Sequence, residues 1–205
     1  MKIGRGGIAT IVIVAIVVTV VVIVVAAASA VILLTPTGTT TTTTTASPTT
    51  TTTTTTITTY SSTEYGFSIK YPQNWVEGTG TGAAVYCNAP AIINNNPAAS
   101  FNVQIPASAG GMTLDQLANA GKLLLENMFS GISFTNEKDV QVNGIEGHEW
   151  TVVVVDTGTG INATMRQDFF IVNNKVYTIT FAAISESYGD YASIFDTILN
   201  SFTVL

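Results

Sequence analysis

The sequence predicts an α+β fold, in which an antiparallel β-sheet is covered by helices and is preceded by one N-terminal transmembrane helix. Three observations predict this arrangement. Residues 8–34 are almost wholly apolar, and alternation of apolar and polar residues recurs after residue 64. Two later segments, which begin at Thr113 and near Glu186, carry apolar residues at helical spacing instead. We therefore expect one globular domain over residues 64–205.

Residues 1–7 form a short basic N-terminus, and residues 8–34 form the predicted membrane-spanning helix. At about 1.5 Å per residue this run reaches roughly 40 Å as a helix, which exceeds the roughly 30 Å of bilayer hydrocarbon. Lys2 and Arg5 precede it, and no charged residue follows until Glu64. Because such basic residues stay in the cytoplasm, we expect a single-pass cell-membrane protein that contacts lipid through residues 8–34 and holds its globular domain outside the cytoplasm.

Two other fates of the apolar helix stay open. Cleavage near Ala30 is conceivable, but the run is longer than the about 7 to 15 apolar residues of a usual signal peptide, which favours an uncleaved signal anchor. Arg5-Gly6-Gly7 resembles the N-terminus of archaeal pilin-type subunits, in which a peptidase cuts near the glycine and the helix polymerises. On that alternative the chain is a pilin-like filament subunit.

Residues 35–63 are of low complexity, with 20 threonines in 29 positions. Such a segment has little apolar surface to bury, so it is predicted to be disordered. It is interpreted as a stalk between membrane and domain. O-linked sugars on its hydroxyl groups would stiffen and extend it.

The charge of the domain is strongly acidic. All 13 acidic residues lie from Glu64 onward, against five basic residues there, since Lys2 and Arg5 account for two of the seven in the chain; the balance is 5 − 13 = −8. An acidic surface repels phosphate backbones, so nucleic acid is excluded as a partner. Cys87 is the only cysteine, so no internal disulfide is possible.

The first elements of the domain are predicted strands. Apolar and polar residues alternate over residues 67–71, and Pro72 ends the run. Residues 84–87 and 101–105 follow the same pattern, the former weakly. Residues 94–97, three asparagines and a proline, are predicted to form a loop.

A helix is predicted over residues 113–129. Thr113 and Gln116 have the spacing of a capping box, and leucines recur on one face. Gly131 suits the position just past the end. Gly121 costs an α-helix about 1 kcal/mol relative to alanine, so its presence indicates close packing at that point.

The strongest pattern runs over residues 144–184 and predicts a meander of three antiparallel strands. Asn173 and Asn174 tolerate positive φ and fit the tight turn between the second and third strands. A final helix is predicted over roughly residues 186–201, with tyrosine, isoleucine and phenylalanine side chains on one side.

The order of these motifs resembles the PsbP family. The motifs are the opening GFSIKYPQNW (66–75), the capped helix from Thr113, VNGIEG (142–147), VYTITF (176–181) and the closing DTILNSF (196–202). The resemblance implies an α-β-α sandwich like that of the extrinsic photosystem II subunit, shared with Ran-binding proteins and several bacterial lipoproteins. Most such relatives are non-catalytic.

One departure from the family limits what the resemblance implies. Photosynthetic members have a basic N-terminal segment that engages the reaction centre, whereas this chain has uncharged threonines in that place. Photosystem binding, and the retention of calcium and chloride that accompanies it, are therefore not expected.

Motifs that carry chemistry are few. Asp156-Thr157-Gly158 follows an apolar strand as in aspartic proteases, but those enzymes need two such carboxylates and the chain has one DTG, so a hairpin turn is favoured. Gly78, Gly80 and Gly82 do not complete a dinucleotide-binding motif, because Ala83 takes the place of the third glycine, and they are interpreted as a loop.

Glu146 and His148 are the weak candidates for metal ligands, because they lie two residues apart on one predicted strand face. No third ligand is apparent, so no metal, cofactor or catalytic residue is predicted. Asn162-Ala163-Thr164 is an N-glycosylation acceptor, which would be accessible outside the cytoplasm.

We therefore predict a non-enzymatic, membrane-tethered binding or assembly module that docks an envelope or membrane protein, or a small ligand. An extracytoplasmic hydrolase whose site the sequence does not reveal is the alternative, besides the filament subunit.

Overall fold

The computed structural model describes residues 56–80, 82–94, 96–128, 132–155 and 162–205. The apolar run of residues 8–34, the threonines up to residue 55, the DTG segment and Gly131 lie outside these ranges. Across the described ranges, no helix has both the length and the apolar character needed to cross a bilayer.

The domain contains thirteen strands among the described residues, all paired antiparallel. They are β1 (Ile57–Ser62), β2 (Phe67–Pro72), β3 (Val76–Glu77), β4 (Ala83–Asn88), β5 (Ile92–Ile93), β6 (Asn96–Pro97), β7 (Ala99–Gln104), β8 (Ala107–Ser108), β9 (Ser133–Val142), β10 (Ile145–Val155), β11 (Asn162–Val172), β12 (Lys175–Ile184) and β13 (Thr203–Val204).

Eight of the strands form the central sheet, in the order β3-β4-β7-β12-β11-β10-β9, with β8 also paired to β12. The predicted meander is confirmed as β10, β11 and β12. Asn173 and Asn174 take φ values of 51° and 61°, which are the positive values that the predicted turn requires. A second sheet has the order β1-β2-β13, and β5 and β6 form a small hairpin.

Two helices cover the central sheet on opposite faces. Helix α1 (Leu114–Met128) begins with the predicted capping box, because the Gln116 amide donates to Thr113 Oγ1 at 3.2 Å and the Thr113 amide donates to Gln116 Oε1 at 3.0 Å. Helix α2 (Tyr188–Asn200) follows a 3-10 turn at Ser185–Ser187. The prediction of an antiparallel sheet covered by two helices is confirmed.

Each face of the sheet has its own core. On the face covered by α2, here the α2 face, Phe195 and Ile198 pack with Phe101 and Phe181, and the second sheet adds Phe67. The opposite face, here the α1 face, is built on Trp150. The buried residues of the same cluster include Leu117, Leu125, Met165 and Phe169. Both faces of the sheet are therefore buried. This is why β11 has apolar residues at successive positions, such as Phe169 and Phe170.

Gly121 of α1 lies directly on Trp150. A Cβ at Gly121 would stand 2.6 Å from Trp150 Cη2, so a side chain there would collide with the indole. The close packing that the sequence predicted at this glycine is confirmed.

The domain begins earlier than predicted. Strand β1 pairs with β2 in continuous register from Ile57↔Pro72 to Ser62↔Phe67, and the ring of Tyr60 lies 5.5 Å from that of Phe67. The predicted boundary at residue 64 is therefore wrong, and residues 57–62 of the predicted 35–63 stalk belong to the fold. The β-branched residues in ITTYSS favour a strand once β2 offers an edge to pair with.

Strands β3, β8, β9 and β13 were not predicted from the sequence either. Strand β9 pairs along β10 from Val142↔Ile145 to Ser133↔Val153, and β13 pairs with β2. Residues 94–97 were predicted to be a loop, but Asn96 and Pro97 form the second strand of the β5–β6 hairpin, and Asn94 lies just after β5 at a φ of 50°.

Candidate functional site

Strands β9, β10 and β11 place charged residues on both faces of the sheet. Residues directly opposite each other in antiparallel strands share a face, so the pairing of Glu149 with Lys138 and Asp168 puts these three together. That face is the α2 face, because the neighbouring Phe170 belongs to its core. His148 and Trp150 therefore point to the α1 face.

The α2 face holds the buried ion cluster, which comprises Lys138, Glu149, Arg166, Asp168 and Asp196. Arg166 lies at its centre, because its guanidinium contacts carboxylates from three elements. The contacts are Nη2 to Glu149 Oε2 at 2.7 Å, Nε to Asp168 Oδ2 at 3.1 Å and Nη1 to Asp196 Oδ1 at 2.7 Å. Asp196 belongs to α2, so Arg166 fastens the helix to the sheet.

Glu149 is almost fully buried and shared between several donors. Asn136 Nδ2 donates to its Oε1 at 2.9 Å, and Lys138 Nζ lies 3.3 Å from the same oxygen. Its Oε2 is close to Arg166, but the contact lacks hydrogen-bond alignment and is purely ionic. A carboxylate in this position is expensive to bury and depends on these neighbours.

The protonation of the buried ion cluster reflects an excess of acids. Burial raises the pKa of Asp168 to about 7; Arg166 opposes this shift and Glu149 adds to it. Burial works against the charge of Arg166, but Asp168, Asp196 and Glu149 outweigh it and raise the pKa of Arg166. Three carboxylates face two bases, so the most deeply buried carboxylate, Asp168, is the one that holds a proton most easily.

The α1 face carries the rim ion cluster at the sheet edge, which comprises Lys122, Glu137, Asp139 and His148. His148 Nε2 lies 3.1 Å from Glu137 Oε1, and His148 Nδ1 lies 3.1 Å from Asp139 Oδ1. Lys122 of α1 contacts Glu137, and this hydrogen bond lowers the pKa of Glu137. Asp139 is 91% exposed, so this cluster opens to solvent.

Glu146 and His148, the two weak candidates for metal ligands, differ in their contacts. His148 directs both ring nitrogens to carboxylates of β9, whereas Glu146 is exposed and contributes neither of these contacts. Within the described ranges, no group of three or more histidine, cysteine, aspartate or glutamate side chains is arranged to hold a metal ion. The structure thus gives Glu146 and His148 no third ligand.

Cys87 and Asn162 have opposite environments. Cys87 is fully buried in the core of the α2 face, and burial raises the pKa of its thiol to about 12, with a further contribution from Glu77. A thiol with this pKa is a poor nucleophile at neutral pH. Asn162, the predicted glycosylation site, is exposed at the first residue of β11.

Among the residues that the structure describes, strand β9 is the last strand of the central sheet and pairs with β10 alone, so one side of its ten residues is an open edge there. We call β9 together with the turn to β10 the β9 edge. Asn143 holds this turn in place, because its Nδ2 donates to the carbonyl oxygens of Asn200 and Phe202 at 3.0 and 2.8 Å. The edge is therefore fixed relative to α2.

A small hollow lies near the opposite edge of the sheet, where the glycine-rich loop joins β3 to β4. It has a volume of about 250 Å³, and its walls include Tyr60, Glu77, Gly78, Gly80 and Tyr86. We call it the Tyr60–Glu77 pocket. Residues 78 and 80 form a loop here, as predicted, and the Gly78 amide donates to the Tyr86 carbonyl at 2.9 Å.

Sequence reasoning singled out His148 but missed Glu137, Asp139 and both ion clusters. One pattern could have revealed the buried ion cluster. Glu149, Arg166 and Asp168 are charged residues inside the long strands of the predicted meander, and such residues must be paired if both faces of the sheet are covered.

Comparison with known families gives one match that covers most of the chain. The family model described as PsbP-like protein matches residues 12–204. A curated relative, PsbP domain-containing protein 1 of the chloroplast of Arabidopsis thaliana, is 33% identical over 60 residues, which are 29% of this chain and 20% of that protein. The matched part thus spans about one fifth of the relative's length.

Solved structures share the fold at low sequence identity. The solution structure of cyanobacterial PsbP (CyanoP) from Synechocystis sp. PCC 6803 has a TM-score of 0.56 at 17% identity, covering 73% of this chain and 92% of that one. LpqN of Mycobacterium tuberculosis, described as involved in cell envelope biogenesis, has a TM-score of 0.53 at 11% identity, covering 75% and 86%. These likenesses establish the architecture.

Proposed function

The chain belongs to the PsbP-like protein family, and from that premise we propose that it is a non-catalytic, membrane-tethered module that docks a protein of the cell envelope. In this proposal residues 8–34 lie in the membrane with residues 1–7 in the cytoplasm, residues 35–56 act as the stalk, and the domain stands outside the cytoplasm. The description of LpqN, which shares the fold, as involved in cell envelope biogenesis supports a partner in the cell envelope.

The observation that carries the non-catalytic proposal is how the domain's reactive side chains are engaged. His148 is the only histidine, and its two ring nitrogens face Glu137 and Asp139 rather than a hydroxyl or thiol. Cys87, the only cysteine, is fully buried with a raised pKa. Nucleophilic catalysis needs a base within hydrogen-bond reach of an accessible nucleophile. His148 faces carboxylates instead of a nucleophile, and Cys87 is not accessible.

The β9 edge is the proposed docking surface. An open edge strand offers unpaired backbone groups to a partner strand, and exposed Asp139, Gln141 and Glu146 lie along the edge or at the start of β10. The domain has a net charge of −8, being 13 acidic against five basic residues, so a basic partner is favoured over an acidic one.

Pairing of β9 with a second copy of itself is disfavoured, which supports a different protein as the partner. In a two-fold edge-to-edge dimer, residues directly opposite each other lie on the same face of the sheet. Alternate residues of a strand share a face, so the numbers of two opposed residues are both odd or both even. The registers centred on Glu137, Lys138 and Asp139 each place that charged residue opposite its own copy. Like charges in this position are destabilising, so these three registers near the middle of β9 are disfavoured.

Photo-cross-linking in intact membranes tests this proposal. A photoreactive residue at Gln141 of the full chain, on the β9 edge, is compared with one at Leu123, which is 62% exposed on α1. We expect one adduct with a different protein from Gln141 and none from Leu123. A ladder at multiples of the chain's own mass would instead support the filament alternative, and no adduct from Gln141 would contradict docking at the β9 edge.

Orientation is tested separately. Protease added to whole cells should cut within residues 35–56 and release the domain, and a glycan at Asn162 is expected if the host modifies exported acceptors. Complete protection of the domain in sealed cells would overturn the proposed topology.

A further inference from the structure

The walls of the Tyr60–Glu77 pocket combine two aromatic rings with one carboxylate. Tyr60 and Tyr86 supply the rings, and their positions are fixed: Tyr60 packs on Phe67 at 5.5 Å, and the Tyr86 hydroxyl donates to Asn88 Oδ1 at 2.8 Å. Glu77 accepts a hydrogen bond from the Tyr71 hydroxyl, which orients its carboxylate. Such an arrangement presents negative charge and π surface to the same small volume.

The glycines of the loop are needed for the shape of this pocket. A Cβ at Gly78 would lie 2.9 Å from Tyr86 Cδ1, and one at Gly80 would lie 3.2 Å from the Ala83 Cβ. The loop backbone therefore lies directly against the wall of the pocket, and larger residues would displace it. This closeness accounts for the repeated glycines that the sequence shows at residues 78 and 80.

The carboxylate of Glu77 has no basic partner within the described part of the chain. The ion pairs found there involve Lys122, Lys138, His148 and Arg166, none of which lines the pocket. The charge of Glu77 acts on two neighbouring side chains. The pKa values of Tyr71 and Cys87 are raised by burial and additionally by Glu77. Within the described ranges, the carboxylate at this pocket therefore has no cationic side chain paired with it.

We propose that the Tyr60–Glu77 pocket binds an organic ammonium group, carried either by a free small molecule or by a lysine side chain of a protein. Its volume of about 250 Å³ suits a single ammonium group with its alkyl substituents. This is below the roughly 300–1,000 Å³ of pockets that take drug-sized ligands. The proposal does not depend on docking at the β9 edge, since the pocket lies by β3 and β4 while β9 is at the other end of the sheet.

Choline and its uncharged isostere 3,3-dimethyl-1-butanol form the matched pair of probes. Each is titrated into the full chain in maltoside micelles, which carry no ammonium headgroup, and the amide NMR shifts of Gly78 and Gly80 are followed. We expect saturable shifts with choline and none with the isostere, because only choline carries the charge. Equal binding of the isostere, or no saturable shift with choline, would overturn the proposal.

Two variants locate the charge that matters. Glu77→Gln keeps an acceptor for the Tyr71 hydroxyl but removes the negative charge, and it should weaken choline binding by about five-fold or more. Glu126→Gln makes the same change in net charge at an exposed position on α1 and should leave binding unchanged. Wild-type affinity in Glu77→Gln would refute the site; if that variant does not fold, the two probes on the wild-type chain still decide.

A photoreactive residue at Thr79, which lines the pocket, distinguishes the two sources of the ammonium group. In intact membranes, a protein adduct that saturating choline suppresses assigns the group to a lysine side chain. Choline binding without any such adduct assigns it to a free ligand.

Discussion

On the α2 face of strands β9–β11, Arg166 lies among three carboxylates beneath helix α2. On the α1 face of the same strands, Trp150 fills the interior, and the charged side chains of the rim ion cluster lie at the sheet edge. The two faces thus use alternate residues of the same strands for different purposes. Charges on the α2 face hold elements of the fold together. Those on the α1 face lie at the sheet edge, where Asp139 is open to solvent.

The difference shows that burial, rather than the number of ion pairs, decides what a charged cluster does. Both clusters contain short contacts between acids and bases. In the buried ion cluster Asp168 is completely inaccessible, so loss of a partner leaves an uncompensated charge. In the rim ion cluster water can replace a lost partner, so the same chemical change costs little.

The largest effect is expected from removing the guanidinium at the centre of the buried ion cluster. Arg166→Met should lower the free energy of unfolding by about 3–5 kcal/mol, because Glu149 and Asp168 lose their common counter-charge. Lys122→Met at the rim should cost less than about 1 kcal/mol. Urea unfolding followed by tryptophan fluorescence measures both, since the two tryptophans, Trp75 and Trp150, lie in the domain. Equal losses would remove the distinction between the clusters.

A smaller effect is expected where α1 packs on Trp150. Gly121→Ala should destabilise the domain by about 1–3 kcal/mol, because the added Cβ meets the indole and overpacking outweighs the gain in helix propensity. Gly189→Ala in α2 is the matched control: no atom lies within 4 Å of its Cβ position, so it should stabilise by up to about 1 kcal/mol. Stabilisation by both substitutions would show that the α1 face is loosely packed.

The two clusters should also respond to pH with opposite signs. The pKa of Asp168 is raised to about 7, so the folded state holds its proton more tightly and the free energy of unfolding falls as pH rises from about 4 to 7. The pKa of Glu137 is lowered, so its contribution is lost as pH falls through that lowered value.

Unfolding of wild type, Asp168→Asn and Glu137→Gln across this range measures these signs. The stability of wild type relative to Asp168→Asn should decline from pH 5 to 8, and its stability relative to Glu137→Gln should rise as pH increases from strongly acidic values. A flat difference for Asp168→Asn would mean that this carboxylate titrates as an ordinary, paired aspartate.

The smallest effect is expected at the outermost acid of the rim. Asp139→Asn should leave the urea midpoint unchanged within error, because its side chain is 91% exposed and water replaces its contact with His148. A clear loss of stability would mean that the rim ion cluster stabilises the fold. It would also weaken the proposal that the β9 edge, to which Asp139 belongs, is a docking surface.

The parts of the fold that were predictable from the sequence are those with a strong local pattern. The capping box at Thr113, the turn at Asn173-Asn174 and the close packing at Gly121 each require particular residue types, so sequence alone indicated them. The meander was predictable because β10, β11 and β12 are long, apolar and bounded by turns.

The elements that were missed lack such a pattern. Strand β9, with the sequence SFTNEKDVQV, is mostly exposed because it lies at the sheet edge, so no alternation marks it. Strand β1 has few apolar residues and continues the threonine-rich sequence before it, so only its pairing with β2 marks it as part of the fold. The ion clusters depend on strand register, which is set by tertiary pairing.

Cross-linking yield and melting temperature, measured together on Asp139→Lys and Arg166→Lys, test most directly the proposal that the β9 edge docks a partner while the buried ion cluster stabilises the fold. With the photoreactive residue at Gln141, Asp139→Lys should lose the adduct at an unchanged melting temperature, because it reverses an exposed charge on the β9 edge. Arg166→Lys should lower the melting temperature, since lysine cannot contact three carboxylates in the same way, and keep the adduct while folded. An undiminished adduct in Asp139→Lys, or its loss in folded Arg166→Lys, would contradict this account.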